Sequence, residues 1–177
     1  RRARQACTFL YVDIDHFKRV NDLYGHPEGD KLLRVVAQAM RSHLRRGDEL
    51  ARLGGDEFAI LLPQTDVTDA GQIAARLREE LLPATNAAGW PVTFSIGMCT
   101  YQEIPADFQQ IVQETDQLMY RVKLDGRDGI RHQIHAGPNH VQLVDEADAV
   151  EDASPHQTEP LHVCRVLPIR TGLPGSR

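Results

Sequence analysis

Two adjacent glycines, Gly54 and Gly55, separate two apolar runs and are followed at once by two carboxylates, Asp56 and Glu57. Glu49 to Leu53 leads in, and Phe58-Ala59-Ile60-Leu61-Leu62 leads out to Pro63. Glycine takes positive φ without steric penalty, so a tight connection of this composition between β-prone runs predicts a hairpin. The hairpin pairs two strands antiparallel and leaves an acidic tip at their junction. Such a tip, open to close backbone approach, suits a metal–phosphate group, but on its own it reads equally well as an ordinary turn with solvated acids.

A second acidic element upstream changes that balance. The run Thr8-Phe9-Leu10-Tyr11-Val12 is apolar and rich in β-formers, and it ends in Asp13-Ile14-Asp15. Residues at i and i+2 leave one face of a strand, so both carboxylates project together. Mg²⁺ takes oxygen ligands, keeps several waters and uses one or two protein carboxylates beside substrate phosphates. Two acids at a strand end facing two on a hairpin suit phosphoryl transfer assisted by one or two metals. Asp15 also reads as the cap of a helix over Phe17 to Tyr24, which makes Asp13 the stronger metal candidate.

Composition narrows the class. A chain of 177 residues has room for one ordinary domain and a tail. Its net charge of −5 and pI near 5.9 argue against nucleic-acid binding through a basic surface. Cys7, Cys99 and Cys164 show neither metal-ligand spacing nor an even-numbered disulfide framework, which points to a reducing compartment. No apolar run approaches ~20 residues, so no membrane contact is expected of this segment. The chain starts with Arg1-Arg2 and no Met, and its first strand begins within a few residues, so it reads as a fragment with its upstream part missing.

Periodicity supplies the remaining elements. A helix from about Glu28 to Leu44 aligns Leu32, Leu33, Val36, Met40 and Leu44 on one face. A second runs from Val67 to Leu82 and is ended by Pro83. Pro91 to Tyr101 alternates as a strand, with Val92, Phe94, Ile96 and Met98 inward, and Asp107 to Leu124 is a third helix. The β-α-β-β-α-β order predicts an α+β sandwich with a ferredoxin-like core, helices covering one face of an antiparallel sheet. Ile130 to Ile134 is a short closing strand. The domain is expected over residues 1–134 and a linker or disordered tail over 135–177, acidic from Asp145 to Asp152 and carrying five prolines from Pro138 to Pro174. Five of the eight histidines lie at or after His132 and read as solvated loop residues. No Walker-type phosphate loop is present.

Asp13-Ile14-Asp15-His16-Phe17-Lys18, Asn21-Asp22-Leu23-Tyr24-Gly25-His26 with Gly29-Asp30, Gly54 to Phe58, Ser95-Ile96-Gly97, and Asp116 to Lys123 with Gly126-Arg127 follow one another in order. In that order and spacing they resemble a GGDEF domain, the catalytic domain of diguanylate cyclases, over roughly residues 8 to 130. The resemblance implies the adenylyl-cyclase and polymerase-palm type of fold. It implies condensation of two GTP into cyclic di-GMP with release of two pyrophosphates, at a face-to-face homodimer. By the same resemblance, Asp13, the Ile14 carbonyl and Asp56 hold Mg²⁺ or Mn²⁺, and Glu57 completes the metal shell or helps to deprotonate the attacking hydroxyl. The backbone at Phe17 and Lys18 holds phosphates with Lys123 and Arg127, two cations that read otherwise as dipole-compensating residues at a helix end. Asn21 and Asp30 read the guanine edge. Arg45 and Asp48, at Arg-x-x-Asp spacing, mark an inhibitory product site, with Arg76 in support and Arg78 competing for that place.

The resemblance further implies an upstream sensor or dimerisation domain and a cytoplasmic location for the domain. A rival reading is a catalytically inactive domain that senses GTP or cyclic di-GMP, although every signature position is intact. A monomeric adenylyl-cyclase-like enzyme acting on ATP fits less well, because Asn21 and Asp30 suit guanine. Two departures from the family pattern are mild: Thr115 stands where Ala is usual, and Asp128 where Asn follows Gly-Arg.

Overall fold

The structure is a computed structural model and describes residues 6–137 and 140–144. Cys7–Asp15 forms β1, Phe17–Tyr24 α1, His26–Ser42 α2, Glu49–Gly54 β2, Glu57–Pro63 β3 and Val67–Ala87 α3. Thr93–Tyr101 forms β4, Phe108–Leu124 α4, Gly129–Gly137 β5 and His140–Val144 β6. The six strands make one sheet in the order β2-β3-β1-β4-β5-β6. Its first four strands, with α2 and α3, are the expected ferredoxin-like core, and every neighbouring pair among them is antiparallel.

β5 is added to that core and lies parallel to β4. Parallel neighbours need a crossover connection, and here α4 supplies it. Helices therefore cover both faces of the sheet. Leu10, Val12 and Ile14 of β1 and Phe94, Ile96 and Met98 of β4 point to one face, against Leu32, Val36 and Met40 of α2 and Leu77 and Leu81 of α3. The alternate residues Phe9, Tyr11, Cys99 and Tyr101 pack with Ile111, Leu118 and Met119 of α4 on the other. Gly97 lets α4 lie close: a Cβ there would sit 2.1 Å from the Thr115 carbonyl oxygen and 2.5 Å from the Met119 nitrogen. Thr115, the bulkier residue at this contact, turns its hydroxyl onto the Ile111 carbonyl of its own helix at 2.7 Å.

Pro83 does not end α3, which runs on to Ala87. Proline removes a single intrahelical hydrogen bond, and two features hold the following turn in place. Thr85 is buried and its hydroxyl donates to the Leu81 and Leu82 carbonyls at 2.9 and 3.1 Å, while the Trp90 N–H closes on the Thr85 carbonyl at 3.2 Å. The long helix starts at His26 rather than Glu28, with Pro27 in its first turn, and ends at Ser42.

The closing strand is longer than Ile130 to Ile134, and β6 pairs antiparallel with it, so the expected boundary at residue 134 falls inside β5. His132 is buried in that strand and His135 half-buried, so neither is a solvated loop residue. Arg1-Arg2, the acidic run from Asp145 and Cys164 lie outside the described residues. Among the described residues no helix is long and apolar enough to cross a membrane.

Candidate active site

β1 ends where the β2–β3 hairpin turns, and register places Asp13 between Glu57 of β3 and Ser95 of β4. The hairpin turn is Gly55-Asp56, with Gly54 paired to Glu57 and a register shift between Arg52 and Gly54. Gly55 has φ 39°, a conformation that glycine adopts freely. Arg52 clamps the turn, its Nε and Nη2 donating to the Gly55 carbonyl at 2.9 and 2.7 Å. The Ile14 N–H donates to the Asp56 carbonyl at 3.2 Å, tying the two acidic elements together through their backbones.

The acids sit in a costly place. Asp13 is 4% exposed, and the Lys123 ammonium donates to its Oδ2 at 2.6 Å. Burial raises the Asp13 pKa, Lys123 opposes that, and Asp56 and Asp15 add repulsion, leaving it at about 6. Burial raises Glu57 too, against a hydrogen bond from Tyr11, with Asp116 and Asp56 adding repulsion. Asp116 of α4 is raised by burial against the pull of Lys123. Asp13, Asp56, Glu57 and Asp116 thus share one neighbourhood with Lys123. Carboxylates crowded in this way favour a bound cation, and their hard oxygen donors fit Mg²⁺ or Mn²⁺.

Asp15 has a different task from the cap expected of it. The residue capping α1 is His16, at φ 65°, with no side-chain capping bond. Asp15 is buried and instead accepts from the Thr93 and Ser95 hydroxyls, each at 2.8 Å, and from the Asp128 N–H at 3.2 Å. Arg127 approaches it at 3.8 Å. Both Arg127 and Asp128 have positive φ, 70° and 53°. Arg78 secures that turn from α3, donating from Nε to Asp128 Oδ1 at 3.2 Å and from Nη2 to its carbonyl at 3.0 Å. Aspartate at 128 therefore forms an ion pair with Arg78 that an asparagine could not.

Phe17 and Lys18 open α1 beside this strand end. Asn21 of the same helix places Oδ1 against the backbone of Gly29, where a Cβ would stand 2.0 Å from it. Asp30 lines a cleft of about 490 Å³ with Leu33, Arg34, Leu50, Arg52 and Phe58. Arg45, Asp48 and Arg76 line a separate cleft of about 260 Å³ with His43, Thr65 and Ile73. There Arg45 Nε donates to Asp48 Oδ1 at 3.1 Å, the Arg45 N–H donates to Oδ2 at 3.0 Å, and Nη2 donates to the Pro63 carbonyl and to Thr65 Oγ1. Arg78 faces Asp128 and is not among the residues lining this cleft.

The model of the family described as "Diguanylate cyclase, GGDEF domain" matches residues 1–129. The chain belongs to the GGDEF diguanylate cyclase family. It is 40% identical to the diguanylate cyclase DgcP of Pseudomonas aeruginosa over 120 residues, 66% of this chain and 18% of that protein. The crystal structure of the diguanylate cyclase SiaD from Pseudomonas aeruginosa, in complex with its activator SiaC, matches with a TM-score of 0.65. Identity there is 35%, over 75% of this chain and 52% of that one. The active GGEEF domain of a Vibrio cholerae diguanylate cyclase matches with a TM-score of 0.63 and 29% identity, over 77% and 86% of the two chains. The chain spans 18% to 35% of the length of the curated relatives it matches.

Sequence reasoning left several GGDEF-site neighbours without a role. Tyr11 against Glu57, Asp116 beside Lys123, and Arg52 on the turn are three. Thr93 and Ser95 had a readable signal, being polar residues at i and i+2 on the strand face opposite Phe94 and Ile96. Arg78 and Asp128 are far apart in sequence and offered none.

Proposed function

We propose that the chain condenses two GTP into cyclic di-GMP with release of two pyrophosphates, at a divalent-metal site built from Asp13, the Ile14 carbonyl, Asp56 and Glu57. The observation that carries this reading is the crowding of buried Asp13 with half-buried Asp56 and Glu57 at the β1–hairpin junction, with Lys123 as their counter-charge. Mg²⁺ or Mn²⁺, when bound, supplies positive charge that neutralises the triphosphate and steadies charge developing at the transferred phosphorus. Lys123 and Arg127 would bind phosphate oxygens of the triphosphate. The first backbone N–H groups of α1, at Phe17 and Lys18, point positive dipoles at the same anion. Glu57, less acidic than a free glutamate because it is buried, accepts the proton of the attacking 3′-hydroxyl.

Asn21 and Asp30 bind the guanine edge, and adenine would leave their polar atoms unpaired. Each domain binds one GTP, and a homodimer brings the two nucleotides face to face so that each hydroxyl meets the other's α-phosphate. Arg45, Asp48 and Arg76 form the product-inhibition site, where ligand must first compete with the Arg45–Asp48 pair. An upstream sensor or dimerisation domain holds the pair together in the cytoplasm.

The test is GTP turnover with Mg²⁺, products separated by chromatography, beside Glu57→Ala. Cyclic di-GMP should form in the parent and fall by about a hundredfold or more in the variant, the scale of losing a group that acts in the transition state. Binding of GTP or cyclic di-GMP without any product, even in an artificially dimerised chain, would instead establish a sensor domain.

A further inference from the structure

On the α4 face of the sheet, away from the acid cluster, three side chains of different chemistry converge. Cys99 comes from β4, Glu114 from α4 and His135 from β5, and their sulfur, carboxylate oxygen and ring nitrogen all lie within 4.8 Å of one another. Cys99 is beside Phe9 and Gln133 in register, four residues along β4 from Ser95. At about 3.3 Å per residue, that is some 13 Å from the catalytic end.

The surroundings are arranged around Glu114. Its Oε2 accepts from the Tyr101 hydroxyl at 2.7 Å and lies 3.0 Å from His135 Nε2, and its Oε1 accepts from the Gln110 amide at 2.9 Å. The His135 ring is stacked on Tyr101 with centroids 4.4 Å apart and planes at 19°. Gln133 Nε2 also lies 2.9 Å from His135 Nε2. Cys99 is fully buried, whereas the His135 and Glu114 side chains are 12% and 15% exposed, which leaves the cluster one wetted side.

We propose that Cys99, Glu114 and His135 form a site for a thiophilic divalent cation, Zn²⁺, with its fourth position open to water. The donor set is the first reason. One sulfur, one imidazole nitrogen and one carboxylate oxygen suit zinc and disfavour Mg²⁺, which selects oxygen, so this site and the catalytic one draw on different cations. Spacing is the second. Zinc bonds of about 2.3 Å to sulfur and about 2.0 Å to nitrogen put ligand atoms roughly 3.5 Å apart in a tetrahedron, a contraction that side-chain rotation supplies. The third is the outer layer, because Tyr101 and Gln110 already orient the carboxylate and Tyr101 holds the ring plane. Binding displaces the Cys99 thiol proton to solvent, while His135 binds through its neutral ring and Glu114 as carboxylate. The cation then joins β4, β5 and α4, the helix that carries Lys123 to Asp13. The three ligands come from three separate elements, so sequence spacing could not reveal them.

The test is titration of the full chain with Co²⁺ as a spectroscopic stand-in for Zn²⁺, followed by displacement with Zn²⁺ itself. One equivalent should give a thiolate-to-cobalt charge-transfer absorption that Zn²⁺ abolishes. Cys99→Ala should remove the absorption, and His135→Gln should weaken Zn²⁺ binding by at least about tenfold. Cys7→Ser and Cys164→Ser should leave both unchanged. Circular dichroism checks folding, and His135→Gln decides the matter if Cys99→Ala does not fold. Absence of the absorption at saturating Co²⁺, its survival in Cys99→Ala, or unchanged Zn²⁺ affinity in His135→Gln would overturn the assignment.

Discussion

Gly29 is buried in α2, and the Asn21 side chain occupies the space where a larger residue would put its Cβ, 2.0 Å from Oδ1 and 3.0 Å from Cγ. The atom displaced by Gly29→Ala is therefore the far end of a movable side chain. Folding should tolerate the change, because alanine is also the better helix former by about 1 kcal/mol. The cost falls on the group assigned to read guanine. Gly29→Ala is expected to raise the KM for GTP about tenfold, with kcat reduced much less, since a lost ground-state contact acts on binding. Steady-state kinetics checks this, and an unchanged KM would remove Asn21 from the base pocket. At this scale the acids Asp13, Asp56 and Glu57 were legible, because carboxylates beside glycines and strand ends advertise themselves. Their supports were not. Tyr11 reads as a core aromatic until the cross-strand register sets it diagonal to Glu57, and Arg78 acquires a role only when α3 packs beside the turn at Asp128.

Among the elements, α4 has the most consequences. It packs on β1, β4 and β5, carries Asp116 and Lys123 into the acid cluster, and contributes Glu114 on the same face of the sheet. Its seat is Gly97. A methyl group there meets backbone atoms, the Thr115 carbonyl and the Met119 nitrogen, which no rotamer change can move aside. Gly97→Ala should lift the helix from the sheet and cost about 3 kcal/mol, in the range of overpacked cores. Urea denaturation would measure that cost. Turnover should fall with it, because a lifted α4 withdraws Lys123 and Asp116 from the acid cluster; a variant of wild-type stability would show that the helix is not seated as described. Strand and helix periodicity revealed that α4 exists and roughly where it ends. It did not reveal which face of the sheet α4 covers, because that depends on β5 running parallel to β4, a pairing that no local pattern encodes. Pro83 misled for a related reason: Leu81 and Thr85 are packed into the core and hold the helix together across the missing bond.

Across the whole molecule the two ends of the central strands differ in chemistry. The hairpin end collects acids, whereas the opposite end has a neutral polar chain on the α2–α3 face. There Thr8 Oγ1 donates to the Thr65 carbonyl at 3.2 Å and shares a 2.7 Å hydrogen bond with Thr100, which lies 2.8 Å from His132 Nε2. His132 is 6% exposed, and burial lowers its pKa from 6.5 to about 4. A histidine with a depressed folded pKa costs nothing above 6.5, where both states are neutral. Between pH 6.5 and 4 the unfolded chain takes up the proton and the folded chain does not, so stability falls as pH falls, by about 3 kcal/mol in total. Asp13 acts in the opposite sense. Its folded pKa is raised to about 6, so the folded state binds that proton more readily and gains stability as pH drops from 6 towards 3.8. The two effects partly cancel in the parent protein and have to be separated. His132→Gln removes one and leaves the other, so the difference in unfolding free energy between parent and variant should shift in the variant's favour from pH 7 to pH 4. Urea denaturation across that interval measures it. A difference independent of pH would mean that His132 takes up its proton equally in the folded and unfolded chain and that the Thr8–Thr100–His132 chain is solvated.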